Sequence, residues 1–379
     1  MKRILIILPN LDLGGMETVV MNYFRHLDRS EVVFDFVVHG EAGFFEDEAT
    51  SLGARIFRAP TRKQGFFKNI SAMRAIYRSE KYETVIVCTE HSFAFIELLV
   101  AWMSGVKTRA GWSHFTEYQG ASRLKRRAHF IARPLMRLFA NQFFACTIDA
   151  GAWLFGKKFV NNLHKPAFHI INNAIDLKKF AICPEMQKKI RKKIRDLYGL
   201  KDDTFAIGIV GRLMPVKNHA FSLAVFKEIH RIFHGMEADK NARLFIIGDG
   251  ELRQEIESQA RRHAIAEHVI FTGAVSNIHE YYQALDALLI PSFHEGLTVV
   301  SVEAQASGLP VIISDTLTRD MKLSDQAHYI PLDAGATEWA KKVLTLTNHK
   351  RTAPNLSTSG FCIEHEAKKL QKILLEGGR

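Results

Sequence analysis

Cysteine is scarce in this 379-residue chain, and the four present (Cys88, Cys146, Cys183 and Cys362) lie far apart with no C-x-x-C pair. That spacing excludes a disulfide frame and a cysteine zinc site, and it predicts reduced thiols in the cytoplasm. Long apolar runs are missing as well. The longest, Phe93 to Val106, is interrupted by Glu97 and too short to cross a bilayer. Met1-Lys2-Arg3 passes directly into a strand-like run at residues 4–8, so no signal peptide is expected. The chain also lacks a repeat of solenoid length, a low-complexity tract, the G-x-G-x-x-G dinucleotide fingerprint and a D-x-D motif suited to a bridging divalent cation.

What is present suits two domains of about 150–200 residues each. Hydrophobic residues make up 47% and charged residues 24%, enough for both domains to bury a core and too apolar for disorder. The net charge of +11 is uneven, with +8 in residues 1–185 and +3 in the remainder. Eight basic residues and one acid, Glu117, fall between Lys107 and Arg137. Such a field favours an anionic partner: a membrane surface, nucleic acid or a phosphorylated substrate.

Short apolar runs alternate with helical patterns along the whole chain. Strands are expected at 4–8, 34–38, 84–88, 143–146 and 169–171, then at 206–210, 244–247, 269–271, 287–290 and 311–313. Near-continuous apolar runs of this kind are parallel strands covered on both faces, and the alternation means an α/β doubly wound sheet. The rhythm breaks once, in the charged segment 176–203 with Pro184. The boundary is therefore placed near residue 180, giving domains 1–180 and 181–379. The last helix, about 362–376, is able to return to the N-terminal domain.

Three strand-to-helix turns could carry chemistry. Gly14-Gly15 follows the first strand; paired glycines admit a ligand close to the backbone, or form a plain tight turn. In GIVGRLMPVKNHAF, residues 208–221, Arg212 and Lys217 converge at the start of an amphipathic helix. A cation there opposes the helix dipole, so a pyrophosphate is the partner that would suit both, against two solvated surface cations. In residues 290–315, Glu295 and Glu303 flank a helix N-terminus that Thr298 could cap. A diphosphate could sit on the N–H groups of Gly296, Leu297, Thr298 and Val299 while each carboxylate accepts sugar hydroxyls. The plain alternative is a first-turn acid followed by an exposed helical glutamate.

The E-x(7)-E arrangement in PSFHEGLTVVSVEAQASGLPVI resembles the signature of the retaining family 4 glycosyltransferases of the GT-B fold. GRLMPVKNH, IIGDGELRQEIE, FTGAVSNIHEYYQALDALLIPS, INNAIDLKKF and the N-terminal GGMETVV resemble further blocks of that family, in the family's order. FFACTIDAGAWLFG, residues 143–156, resembles the bacterial exopolysaccharide and capsule branch. The resemblance implies two Rossmann-like domains facing each other across a cleft, with the acceptor on the first and the nucleotide-sugar donor on the second. It implies that Arg212 and Lys217 bind the donor pyrophosphate, Glu303 the ribose and Glu295 the transferred sugar. Gly15 would approach the donor phosphates, and Gly250 lies in a loop beside the cleft. His114 would reach the reacting sugar, although this chain reads Trp112-Ser113-His114 where the branch reads H-S-H. His91 is a second option for acceptor contact.

The expected reaction is transfer from a UDP- or GDP-sugar to a saccharide, lipid-linked at the inner face of the membrane, in surface polysaccharide synthesis. No metal or cofactor is expected, the nucleotide-sugar being a substrate. Rival readings are a nucleotide-sugar epimerase or hydrolase on the same fold, and a catalytically silent partner of another transferase. A nucleic-acid binder would fit the basic charge but leaves the paired glutamates unexplained. Residues 120–144 mix Arg and Lys with large apolar residues, as an interfacial helix or a core helix with a basic face would, and Pro134 predicts a break or kink.

Overall fold

The computed structural model describes residues 1–116, 122–161, 167–234, 241–347 and 351–376. The chain divides into two compact units, residues 1–175 with 360–379, and residues 176–359. In each, apolar runs too hydrophobic to face water on either side become the strands of a parallel sheet, and the amphipathic segments between them become its crossover helices.

The first unit holds β1 (Lys2–Ile7), β2 (Val32–Val38), β3 (Ile56–Arg58), β4 (Thr84–Thr89), β5 (Thr108–Ser113), β6 (Gln142–Ala145) and β7 (Phe168–Ile170), in the order β3-β2-β1-β4-β5-β6-β7. The second holds β8 (Phe205–Val210), β9 (Ala242–Ile247), β10 (Val269–Gly273), β11 (Ala287–Ile290), β12 (Val311–Ser314) and β13 (Ala327–Ile330), in the order β10-β9-β8-β11-β12-β13. Neighbouring strands are parallel in both. Each sheet reverses its winding once, between β1 and β4 and between β8 and β11.

Three strands lie outside the expected set: the central β5, whose Thr108, Arg109 and Gly111 interrupt any apolar run, and the outer strands β3 and β13. β3 and β13 are sheet edges, and their sequences Ile56-Phe57-Arg58 and Ala327-His328-Tyr329-Ile330 are mostly half-exposed. An edge strand lacks the double-sided burial that produces a continuous apolar run. The helix Arg123–Phe139 continues through Pro134, so of the break or kink expected there the break does not occur. Pro134 is exposed, so water can reach the carbonyl that the missing N–H leaves unpaired.

The helix Ile363–Glu376 belongs to the first unit. Lys2 Nζ donates to the Leu374 carbonyl at 2.7 Å, and the Asp28 N–H donates to Gln371 Oε1 at 2.8 Å.

The first sheet is pinned by a buried carboxylate in the middle of β2. Asp35 is fully buried; it accepts the Arg55 N–H and guanidinium, each at 2.8 Å, and the Tyr82 hydroxyl at 2.6 Å, and it pairs with Arg3. These partners come from β1 and from the approaches to β3 and β4, so one side chain ties four strands. Asp35→Ala leaves Arg3 without its counter-ion, Arg55 with Glu80 alone and the Tyr82 hydroxyl without its acceptor, and the expected loss is about 2–3 kcal/mol of unfolding free energy. Urea titration measures it; a loss below about 1 kcal/mol would mean that the node is redundant.

Candidate functional site

In a parallel sheet the crevice outside the strand C-termini, where winding reverses, is the natural ligand site. In the second unit, the loop after β8 carries Arg212 and Lys217, and the loop after β11 carries Glu295 to Thr298. Their side chains meet: Lys217 Nζ lies 2.6 Å from Glu295 Oε1, and Ser292 Oγ donates to the same oxygen at 2.9 Å. The backbones are joined too. The Phe293 N–H donates to the Val216 carbonyl at 2.9 Å, and Asn218 Nδ2 donates to the Pro291 carbonyl at 3.2 Å. Side-chain exposures of 17% for Lys217 and 12% for Glu295 hold the pair largely away from water.

Lys217 ends a short 3₁₀ turn, Pro215–Lys217, ahead of the helix His219–His234 and not within it. Asn218 between them takes the left-handed conformation at φ 54°, which an amide side chain tolerates better than most. Gly211 has φ 140°, and a Cβ there would sit 3.1 Å from Lys217 Cε, so this glycine leaves room for the lysine stem. Gly250 has a different explanation. A Cβ at that position would come within 2.6 Å of the Leu213 carbonyl oxygen, so the packing of the β8 and β9 loops already demands glycine. Arg212 is exposed and makes no ion pair among the described residues.

The helix Val299–Ala306 follows directly. Thr298 occupies its N-cap, but the hydroxyl makes no capping hydrogen bond, unlike the sequence expectation. The first-turn N–H groups are thus left without a side-chain cap beside the Lys217–Glu295 pair. Glu303, one turn further in, is buried and accepts the Tyr282 hydroxyl at 2.9 Å. Burial pushes its pKa up to about 7, against a smaller lowering by the Tyr282 hydrogen bond. The alternative of an exposed helical glutamate is therefore set aside.

In the first unit, the turn after β1 leads into the helix Gly15–His26. A Cβ on Gly14 would fall 2.1 Å from Glu17 Oε2, whereas one on Gly15 would meet nothing within 4 Å. At Gly14 the atom met is the far end of the Glu17 side chain, which can shift, and Gly15 faces open space at a helix N-terminus. His91 follows β4, with its pKa lowered to about 4 by burial and by Arg62. His114 follows β5, buried, with both ring nitrogens lacking a hydrogen-bond partner among the described residues. Burial lowers its pKa to about 3, so it is a neutral imidazole with hydrogen-bonding capacity to spare.

The structure thus brings together Lys217 and Glu295, and it adds Ser292 and Tyr282, which sequence reasoning missed. Ser292 lies three residues before Glu295, a spacing that carries no signal of its own. Tyr282 reaches Glu303 from another helix, Ile278–Ala284, beyond any local pattern.

Known proteins resemble this chain both in sequence and in fold. Residues 190–357 match the family model described as Glycosyl transferases group 1. A putative glycosyltransferase EpsF of Bacillus subtilis is 37% identical over 323 residues, covering 84% of this chain and 80% of that protein. The UDP-Gal:alpha-D-GlcNAc-diphosphoundecaprenol alpha-1,3-galactosyltransferase of Escherichia coli is 24% identical over 312 residues, covering 80% and 76%. Anabaena Alr3699/HepE, solved in complex with UDP and glucose, shares the fold with a TM-score of 0.76 at 16% identity, over 99% of this chain and 100% of that one.

The Glu303 carboxyl generates a stability prediction. Its folded pKa of about 7 lies above its ordinary value of 4.5, so the unfolded chain ionises first as pH rises. Its contribution to stability is present below about pH 4.5 and is lost between there and about pH 7. Glu303→Gln does not titrate. The melting temperature of the variant relative to the parent should therefore climb across that window and level off above it; a flat difference would show that the carboxyl is not perturbed.

Proposed function

This chain belongs to the glycosyl transferases group 1 family and has the GT-B fold, and we propose that it moves a sugar, with retention at the anomeric carbon, from a UDP- or GDP-sugar to a saccharide acceptor. The observation that carries this reading is the Lys217–Glu295 pair at the reversal point of the second sheet, beside a helix N-terminus without a side-chain cap.

Departure of a nucleoside diphosphate places negative charge on its phosphate oxygens as the sugar leaves. Lys217 and Arg212 supply fixed positive charge there, and the N–H groups at the start of Val299–Ala306 add oriented dipoles. Arg212, already without an acidic partner, has no salt bridge to surrender when a phosphate arrives. Glu295, oriented by Ser292 and Lys217, accepts hydroxyl hydrogen bonds from the transferred sugar. Glu303, held by Tyr282, accepts those of the ribose. With protein cations in these positions, the reaction proceeds without a divalent metal. His114, neutral above about pH 3, hydrogen-bonds a sugar hydroxyl and contributes no charge.

The second unit holds the donor and the first the acceptor. The acceptor is a lipid-linked saccharide of bacterial surface polysaccharide synthesis; the diphosphate-lipid acceptor named for the E. coli relative supports this reading. No described helix is long and apolar enough to cross a membrane. Peripheral docking on an anionic inner leaflet is supported by the helix Arg123–Phe139. Leu124, Ile131, Leu135 and Leu138 form an outward stripe along it, 77%, 78%, 38% and 68% exposed, with Arg123 and Arg127 alongside.

Glu295→Ala and Lys217→Ala should each lower turnover about 10²- to 10³-fold, the scale of losing one preorganised charge-stabilising donor. The parent enzyme should keep its rate in excess EDTA. Near-normal turnover in either variant, or loss of activity on chelation, would overturn the site assignment.

Docking makes a separate prediction. Replacing Arg123, Lys125, Arg126 and Arg127 by glutamine should release the protein from anionic vesicles, each basic residue contributing about 1 kcal/mol. Activity on a soluble acceptor should persist. Vesicle binding that ignores the four substitutions would remove the membrane from the proposal.

A further inference from the structure

Two arginines on the helix Arg123–Phe139 have no task in the chemistry above. Arg133 and Arg137 stand one turn apart, each half-buried, and neither forms an ion pair among the described residues. The Arg133 guanidinium lies 4.3 Å from the ring centre of Phe130 and 5.6 Å from that of Trp153, and its Nε is buried without a hydrogen-bond partner. The Arg137 guanidinium lies 5.9 Å from the ring centre of Phe159. Burial, then repulsion from Arg137, holds the Arg133 pKa below its ordinary value.

Two like charges one helical turn apart destabilise the helix, and partial burial without a counter-ion adds to the cost. The aromatic faces offset part of it but neutralise nothing. A solvated basic face would point such side chains at water; here they lie against rings.

The platform beneath them is well anchored. Trp153 stacks on His129 with ring centres 4.3 Å apart, and its indole N–H donates to the Glu90 carbonyl at 2.7 Å. His129 Nδ1 accepts the Ser92 N–H at 3.0 Å, which leaves Nε2 to donate to the Trp153 carbonyl at 3.2 Å. Glu90 and Ser92 follow β4, so the arginine-bearing surface is tied to the winding reversal of the first sheet. On the same helix, beyond Phe130 and Arg127, runs the exposed aliphatic stripe.

We propose that Arg133 and Arg137 bind a phosphate group carried on an apolar chain, as the carrier of a lipid-linked acceptor would present it; this deepens the acceptor reading and rests on it. Two adjacent guanidinium forks match the oxygens of a phosphate, and the ligand supplies the missing counter-charge. The exposed Phe130 stands between the arginines and the aliphatic stripe, which lies further round the helix, so the chain of such a ligand would run across Phe130 to reach it. A phospholipid headgroup offers the same chemistry from a different source.

The test is calorimetric titration of the full-length protein with decyl phosphate below its micellar concentration, with decyl maltoside as a neutral amphiphile. Decyl phosphate should bind at least about tenfold tighter than decyl maltoside, and Arg133→Gln/Arg137→Gln should remove that advantage. Arg133→Lys/Arg137→Lys keeps the charge and loses the fork, so it should fall between, and it serves if the glutamine pair folds poorly. Lys188→Gln/Lys189→Gln, both exposed on the helix Pro184–Leu197 of the second unit, should bind as the parent does. Phosphatidylglycerol vesicles then separate the sources. Weaker vesicle binding by the glutamine pair identifies a headgroup, and unchanged vesicle binding identifies a carrier phosphate; both support a phosphate site. Equal binding of the two amphiphiles, or equal binding of decyl phosphate by parent and variants, overturns it. Because binding is read without turnover, this result stands apart from any failure of the transferase reading.

Discussion

Parallel pairing sends every strand out of its sheet at the same edge, and the placement of reactive groups in both units follows from that constraint. Once β8 and β9 wind one way and β11 and β12 the other, the loops after β8 and β11 are neighbours with no helix between them. Two segments some eighty residues apart thereby supply the lysine and the glutamate of one ion pair. The same rule in the first unit puts Gly15, His91 and His114 at the exits of β1, β4 and β5. No long-range coincidence is needed to assemble either group, since the sheet order does it.

The charge state of these groups is set by burial more than by neighbours. His114 is held neutral, Glu303 is brought close to neutral, and Glu295 is matched by Lys217. Arg212 keeps an exposed charge without a partner among the described residues. The contrast with Asp35 is informative. That carboxylate is equally deep, yet its guanidinium and hydroxyl partners consume its hydrogen-bonding capacity and leave it a structural role.

Much of this was legible in the sequence, for identifiable reasons. Central strands such as β4 and β11 are apolar at nearly every position because both faces are covered, and they were anticipated almost to the residue. The glutamates of the E-x(7)-E arrangement were found because their spacing is local to one loop and helix. What escaped depends on other parts of the chain. Edge strands β3 and β13 carry mixed patterns, Tyr282 reaches Glu303 from a separate helix, and the Lys217–Glu295 contact exists only once β8 and β11 are adjacent. The left-handed Asn218 was hidden for the opposite reason: a single residue absorbs the bend, so the helical pattern beyond it looked continuous with Lys217.

The helix Ile363–Glu376 bears on the order in which the chain becomes complete during synthesis. It lies in the first unit, where Lys369 Nζ donates to the Ile170 carbonyl at 2.8 Å and residues 361–363 bond to Ile175. The second unit is continuous in sequence from 176 to 359, so all of it has been translated before that helix emerges. The usual order, in which the N-terminal domain finishes first, is inverted. The first unit waits for residues that follow the second, and until residue 376 leaves the ribosome the flank of Gly15–His26 that the late helix covers stays open to solvent and to chaperones.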